Sequence, residues 1–160
     1  MDRKSISQLV TVADPRVGLV VATDTGLVIP TLAMSHAVNL LELARHRDDA
    51  VTRARSGRIP QKYAGSAVVS VSNLGMTRVD EFDALLNPGE SAILAVGRIV
   101  KRPVVYEDEL VVRRQFAMTL TCDHRVVDGM DAAHFLETVA QQLESMNWPI
   151  GYEGQDDYSR

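Results

Sequence analysis

Two short segments of this sequence carry the residue types that acid–base chemistry needs. The first, Asp123-His-Arg-Val-Val-Asp-Gly129, follows the apolar run Phe116-Ala-Met-Thr-Leu-Thr-Cys122 and precedes a helix-like pattern that starts near Met130. A histidine delivered by a strand end, with a carboxylate four positions later at a glycine turn, is a base fixed in place yet reachable. The second, Val71-Ser-Asn-Leu-Gly-Met76, sets Ser72 at a strand end beside a glycine turn. Each has a plainer reading: a bare His-x-x-x-Asp is usually a surface pair, and a turn serine usually bonds its own backbone. For the heptapeptide the plainer reading loses, because Gly129 directly follows Asp128 at a strand-to-helix junction. Together the segments offer a base and a hydroxyl donor for a developing oxyanion, with no Gly-x-Ser-x-Gly elbow.

The elements that must position these residues can be read from hydrophobic period. Val17 to Thr23 and Gly26 to Leu32 are two β-branched runs separated by Asp24-Thr25, which predicts two strands with a tight reversal. Leu40, Leu41, Leu43, Ala44, Ala50, Val51 and Ala54 then recur at helical spacing, with Ser35 or Asn39 as the cap and Gly57 as the stop. That pattern predicts a long amphipathic helix covering a sheet. Ala67 to Ser72 reads as a third strand ending in the Asn73–Met76 turn, and Ser91 to Val100 as a fourth. Phe82, Leu85, Leu86 and Asn87-Pro-Gly89 suggest a short apolar turn between them. A hairpin turning at Glu107-Asp108 is expected to send one strand on to Cys122, although Arg113-Arg114-Gln115 can also divide it. The last helix, roughly Asp131 to Asn147, places Ala132, Phe135, Leu136, Val139, Leu143 and Met146 on one face. The resulting organisation is a polar lead over 1–16, a folded unit over 17–147 and an acidic tail over 148–160, without internal repeats.

Composition bounds the partners. A chain of 160 residues, 46% hydrophobic and 24% charged, suits one domain with a sizeable core. The net charge of -4, with no long Lys/Arg block, argues against nucleic acid or an anionic membrane as principal partner. Arg53, Arg55, Arg58 and Lys62 form a small basic cluster. It reads as a solvated last helical turn, or as a patch for an acidic carrier domain or a nucleotide phosphate. Cys122 is the only cysteine and sits in an apolar run, so it reads as a small buried hydrophobe. No apolar stretch nears the roughly 20 residues that span a bilayer, and Met1 to Ser7 lacks a signal core, so a cytoplasmic location is expected. His36, His46, His124 and His134 lack metal-site spacing, and no metal is expected.

With these residues on the page, the sequence resembles the catalytic domain of the dihydrolipoamide acyltransferases, the cores of 2-oxoacid dehydrogenase complexes. Four segments carry the resemblance in the family's order: Gly26-Leu-Val-Ile-Pro30, Ser72-Asn-Leu-Gly-Met76, Asn87 to Arg98 and Asp123 to Gly129. It covers roughly Val17 to Met146. The resemblance implies an α/β fold of the chloramphenicol acetyltransferase type, a two-layer α+β sandwich with a mixed sheet covered by helices. It further implies that His124 deprotonates a thiol attacking an acyl thioester, that Ser72 donates to the oxyanion, and that Asp128 is structural, orienting His124 through an ion pair. The substrates so implied are a lipoyl group and coenzyme A or another phosphopantetheine thiol, meeting at a trimer interface where His and Ser come from neighbouring subunits. A neutral imidazole is needed, so activity is expected to fall as pH drops through the imidazole range.

The resemblance also predicts gaps. The family's domain is longer and begins with an Arg-bearing helix and further strands, including the arginine that partners the last Asp of the motif. Residues 1–16 are too few to replace them, and the sequence carries no lipoyl-lysine motif, so the chain is expected to lack a lipoyl and a partner-binding domain. Three expectations compete: a second polypeptide supplies the missing N-terminal half, the chain is an acyltransferase serving a carrier protein in trans, or it is a non-catalytic oligomeric scaffold recruiting a dehydrogenase component. A nucleotide binder reading Ser72-Asn-Leu-Gly75 as a phosphate turn is disfavoured, because there is no glycine triplet or Walker lysine.

Overall fold

The computed structural model describes residues 11–33 and 39–145. Ser35, Met146, Asn147 and the tail over 148–160 lie outside the described residues. A five-stranded mixed sheet forms the centre, in the order β4-β1-β5-β6-β9. Its strands are β1 (Arg16–Leu19), β4 (Thr31–Ala33), β5 (Val69–Asn73), β6 (Ala92–Val96) and β9 (Met118–Cys122). β1 is antiparallel to β4 and parallel to β5, β5 is parallel to β6, and β6 is antiparallel to β9. The burial of β6 explains its sequence: Ala92, Ile93, Leu94 and Ala95 are all buried, as expected for a central strand covered on both faces.

The two runs expected as whole strands are each divided. β1 gives way to β2 (Val21–Thr23), and β3 (Gly26–Val28) to β4, so that β2 and β3 pair in a hairpin of their own outside the main sheet. Pro30 has no N–H to donate, and its carbonyl accepts from Leu19 N at 2.9 Å, at the point where the ribbon changes sheet. Gly18 is required at this crossing, because a Cβ there would stand 2.3 Å from Ser70 Oγ.

The run from Ser91 to Val100 divides similarly. β6 ends at Val96, and Gly97 lets the preceding loop cross so closely that a Cβ would stand 1.8 Å from Asp80 O. The chain then forms a second hairpin, β7 (Val100–Tyr106) and β8 (Glu109–Gln115). It turns at Glu107 and Asp108, both with positive φ (49° and 63°), the type I′ geometry that matches strand twist. The acidic turn falls where the sequence suggests, but β8 does not run on to Cys122. It stops at Gln115, and Phe116-Ala117 leads into β9 in the main sheet.

Helix α1 (Leu40–Arg55) starts as capping chemistry predicts, with Asn39 Oδ1 accepting from Glu42 N at 2.9 Å. It ends with Gly57 in the left-handed region and Arg58 N donating to Arg53 O at 3.0 Å. Its buried residues are only Ala50 and Ala54, while Leu40 and Leu41 are exposed, so the packed face is narrower than the periodicity suggests. Leu32, Ala50 and Tyr63 make one core cluster; Ala84, Ile93 and Ala95, with Phe82 and Leu86 against them, make another. Leu85, expected in that apolar turn, is 91% exposed. Helix α2 (Gly129–Ser145) buries no residue fully: Ala132, Leu136 and Val139 are half-buried, and Phe135 and Leu143 are exposed. The helical layer covers the sheet only in part.

Candidate active site

β9 delivers the histidine segment as expected. Asp123 N donates to Ser91 O at 2.9 Å, and Asp123 O accepts from Val126 N and Val127 N at 2.8 and 3.0 Å, closing a tight turn over His124 and Arg125. The Asp123 carboxylate receives the Arg125 guanidinium on both oxygens, Nε to Oδ1 at 2.8 Å and Nη2 to Oδ2 at 2.6 Å, as well as Arg125 N at 3.0 Å. That bidentate pair, foremost its side-chain hydrogen bonds, holds the Asp123 carboxyl down at about 2.

Asp128 holds a structural place at the end of this turn. Among the described residues it forms no ion pair; the cation of the turn, Arg125, is held by Asp123. Asp128 Oδ1 accepts from Met130 N and Asp131 N, each at 2.9 Å, which makes it the N-cap of α2. Two backbone donors fix the position of its side chain. His124 is exposed, and its imidazole makes no hydrogen bond among the described residues. The turn is therefore clamped at Asp123 and Asp128 and exposed at His124.

Ser72 is not brought to this turn. In the sheet it lies level with Ala95 on β6 and, through Ala95, with Thr119 on β9. Cys122, at the other end of β9, lies level with Ala92 and Val69. Three residues of strand is about 10 Å and two strand spacings about another 10 Å, and His124 lies beyond Cys122. Ser72 and His124 thus occupy opposite ends of the sheet, too far apart for one copy to place both on one carbonyl. The Ser72 hydroxyl is half-buried and makes no side-chain hydrogen bond among the described residues. The turn beyond it is fixed by Asn73, whose Oδ1 accepts from Gly75 N at 2.7 Å.

Other polar groups were not singled out by sequence. Glu90, 9% exposed, accepts from Ser70 Oγ at 2.8 Å and from Asn87 Nδ2 at 3.1 Å. Its only sequence signal is one acid heading an apolar run. The loop of Asn87–Glu90 lines a cleft of about 300 Å³ with Thr31, Ser66 and Ala67. Asp80 is held by Arg98 and, at 2.7 Å, by Arg102. Of the basic cluster, Arg53 and Lys62 are exposed and bind Asp49 at 2.6 and 3.1 Å, which favours the reading as a solvated helix end. Burial pushes the Cys122 thiol up, away from a nucleophile's range.

Comparison with known proteins bears on this arrangement. The family described as 2-oxoacid dehydrogenases acyltransferase (catalytic domain) matches residues 1–149. The dihydrolipoyllysine-residue acetyltransferase component of the pyruvate dehydrogenase complex of Zymomonas mobilis is 33% identical over 145 residues, 90% of this chain and 32% of that protein. The dihydrolipoamide acetyltransferase of Azotobacter vinelandii superposes with a TM-score of 0.80 at 26% identity, over 87% of this chain and 57% of that one. The work on that protein concerns the role of a serine, a histidine and an asparagine four residues further on in its catalytic mechanism. The cubic core of a pyruvate dehydrogenase multienzyme complex gives 0.80 at 27% identity, with 87% and 57% covered. The chain thus spans about a third of the curated relative and little more than half of each solved chain.

Proposed function

The chain belongs to the family of 2-oxoacid dehydrogenase acyltransferase catalytic domains, and on that premise we propose that it moves an acyl group between a lipoyl thioester and a second thiol, that of coenzyme A or a phosphopantetheine carrier. The observation that carries this reading is the unengaged imidazole of His124, exposed on a turn clamped at Asp123 and Asp128. His124 takes the proton of the attacking thiol, and the thiolate adds to the thioester carbonyl. Ser72 donates a hydrogen bond from its hydroxyl to the resulting oxyanion. As the tetrahedral intermediate collapses, the old C–S bond breaks and His124 returns the proton to the leaving thiolate. A thiol needs only a neutral imidazole to become a good nucleophile, so no covalent enzyme intermediate is required.

Because Ser72 and His124 stand at opposite ends of the sheet, the site forms between copies, with Ser72 of one facing His124 of the next. The partners we infer are further copies of the chain, in a trimer or multiples of trimers, or a polypeptide supplying the rest of the catalytic domain. A lipoyl or acyl carrier domain and a 2-oxoacid dehydrogenase component complete the reaction. Surface apolarity supports assembly: on one face of the β7–β8 hairpin Val105, Leu110 and Val112 are 74%, 76% and 70% exposed. The same face suits a silent scaffold, and one experiment separates the two. In a transfer assay between an acyl-dihydrolipoyl donor and coenzyme A, His124→Ala lowers the rate by about 10² to 10⁴-fold with the fold intact. Transfer that stays at background with all partners present, while assembly is normal, favours the scaffold. A pH–rate profile flat from about pH 5 to about pH 8 would remove His124 as the base.

A further inference from the structure

Glu90 is a buried acid that the proposed chemistry does not use. Removing a carboxyl group from water is costly unless it is hydrogen-bonded, and both Glu90 oxygens are engaged, one by Ser70 Oγ at 2.8 Å and the other by Asn87 Nδ2 at 3.1 Å. Ser70 is itself 0% exposed and lies within β5. The loop that Glu90 closes has left-handed backbone at Gly89 (φ 87°), and Glu90 N donates to Asn87 O at 3.2 Å. Pro88 and Gly89 are exposed beside the 300 Å³ cleft, so the Glu90 side chain ties this loop to the sheet.

The next residue links this loop to the histidine turn. Ser91 N donates to Val68 O and Ser91 O accepts from Asp123 N, both at 2.9 Å. Asp123 then closes the turn through Val126 and Val127 and grips Arg125. The connection is continuous from β5 through Ser70, Glu90 and Ser91 to Asp123, next to His124.

We infer that Glu90 is a positioning residue for His124: its carboxyl clamps the loop of Asn87–Ser91 onto β5, and Ser91 passes that placement to the backbone of Asp123. The inference rests on the acyltransferase reading for its kinetic consequence, but not for its structural one. A base displaced by about 1 Å loses on the order of 10²-fold in rate. In the full chain, Glu90→Ala is therefore expected to lower kcat by about 10 to 100-fold with KM within about twofold. The acidic limb of the pH–rate profile stays at its wild-type position, because the base is unchanged. Glu90→Gln restores kcat to within about threefold, since its carbonyl still accepts from Ser70 and the Asn87 amide can turn to pair with the new amide. Amide exchange at Asp123, Val126 and Val127 quickens in Glu90→Ala. Asn87→Ala, which removes one of the two ties, gives the same pattern at smaller size if Glu90→Ala folds poorly. An unchanged kcat per folded molecule with a lowered Tm, or Gln as damaging as Ala, overturns the positioning role. Unaltered exchange at Asp123 overturns the clamp whatever becomes of the acyltransferase reading, and loss of His124-dependent transfer with the exchange effect intact overturns only that reading.

Discussion

Ser72 and His124 are each presented from one end of the same sheet, but on supports of different kinds. Ser72 rides within β5, a strand paired on both sides by β1 and β6, so its placement is shared among many backbone hydrogen bonds. His124 rides on a turn outside the sheet, placed by a few named groups: Ser91 O, the Asp123 carboxylate and the Asp128 cap. Within β5 the contrast recurs at a finer scale. Ser70 and Ser72 project from the same strand face, two residues apart. Ser70 is sealed by Glu90, whereas the Ser72 hydroxyl is left unengaged. A strand supplies a rigid support that tolerates the loss of any one side chain; a turn lets a residue reach out, at the cost of depending on each clamp.

Substitutions can break or sharpen that contrast. The largest effect is expected at the groups proposed to act on the thioester: Ser72→Ala should lower transfer by roughly 10² to 10³-fold, the usual loss of one oxyanion donor, without lowering Tm. Mixing that variant with His124→Ala before assembly should restore up to about a quarter of wild-type activity, because half the copies supply each intact residue to a site between neighbours. Mixed oligomers that form yet stay inactive would show that the two ends do not meet.

A smaller effect is expected at the cap. Asp128→Ala removes both hydrogen bonds to the start of α2 and should cost about 1 kcal/mol, a drop of a few degrees in Tm, whereas Asp128→Asn keeps the cap. Equal Tm values for the Ala and Asn variants would contradict the capping role.

The smallest effect belongs to Asp123, present at neutral pH and lost in acid. Its folded carboxyl sits at about 2 against an ordinary 3.8, principally through the Arg125 side chain, so the stabilisation is present above 3.8 and is lost as pH falls through about 2. The denaturation midpoints of wild type and Asp123→Asn should differ at neutral pH and converge across that window. Asp49 is held down to about 2 as well, first by Arg53, so the comparison must be a difference between variants. A gap that persists at pH 2 would point to a contact other than the ion pair.

Much of the fold was legible in the sequence wherever the deciding physics is local. Asn39 and Gly57 bound α1 because capping needs only neighbouring backbone groups, and Glu107-Asp108 turn a hairpin because alternating runs flank them. The divided strands were not legible. Val17 to Thr23 is one β-branched run by composition, and only the crossing of Gly18 over Ser70 shows that it serves two sheets. The apolar face of α2 was visible, but its incomplete coverage was not, since periodicity reports which residues want burial and not whether a neighbour is there to provide it.

The sequence by itself determined the groups on offer, an imidazole at His124 and a hydroxyl at Ser72, because residue type and local turn suffice for that. Tertiary structure decided how these groups are used. Strand order and register set Ser72 and His124 at opposite ends of the sheet and buried Glu90 against Ser70 of β5. Both outcomes depend on contacts between residues distant in the chain, and no spacing in a sequence records them.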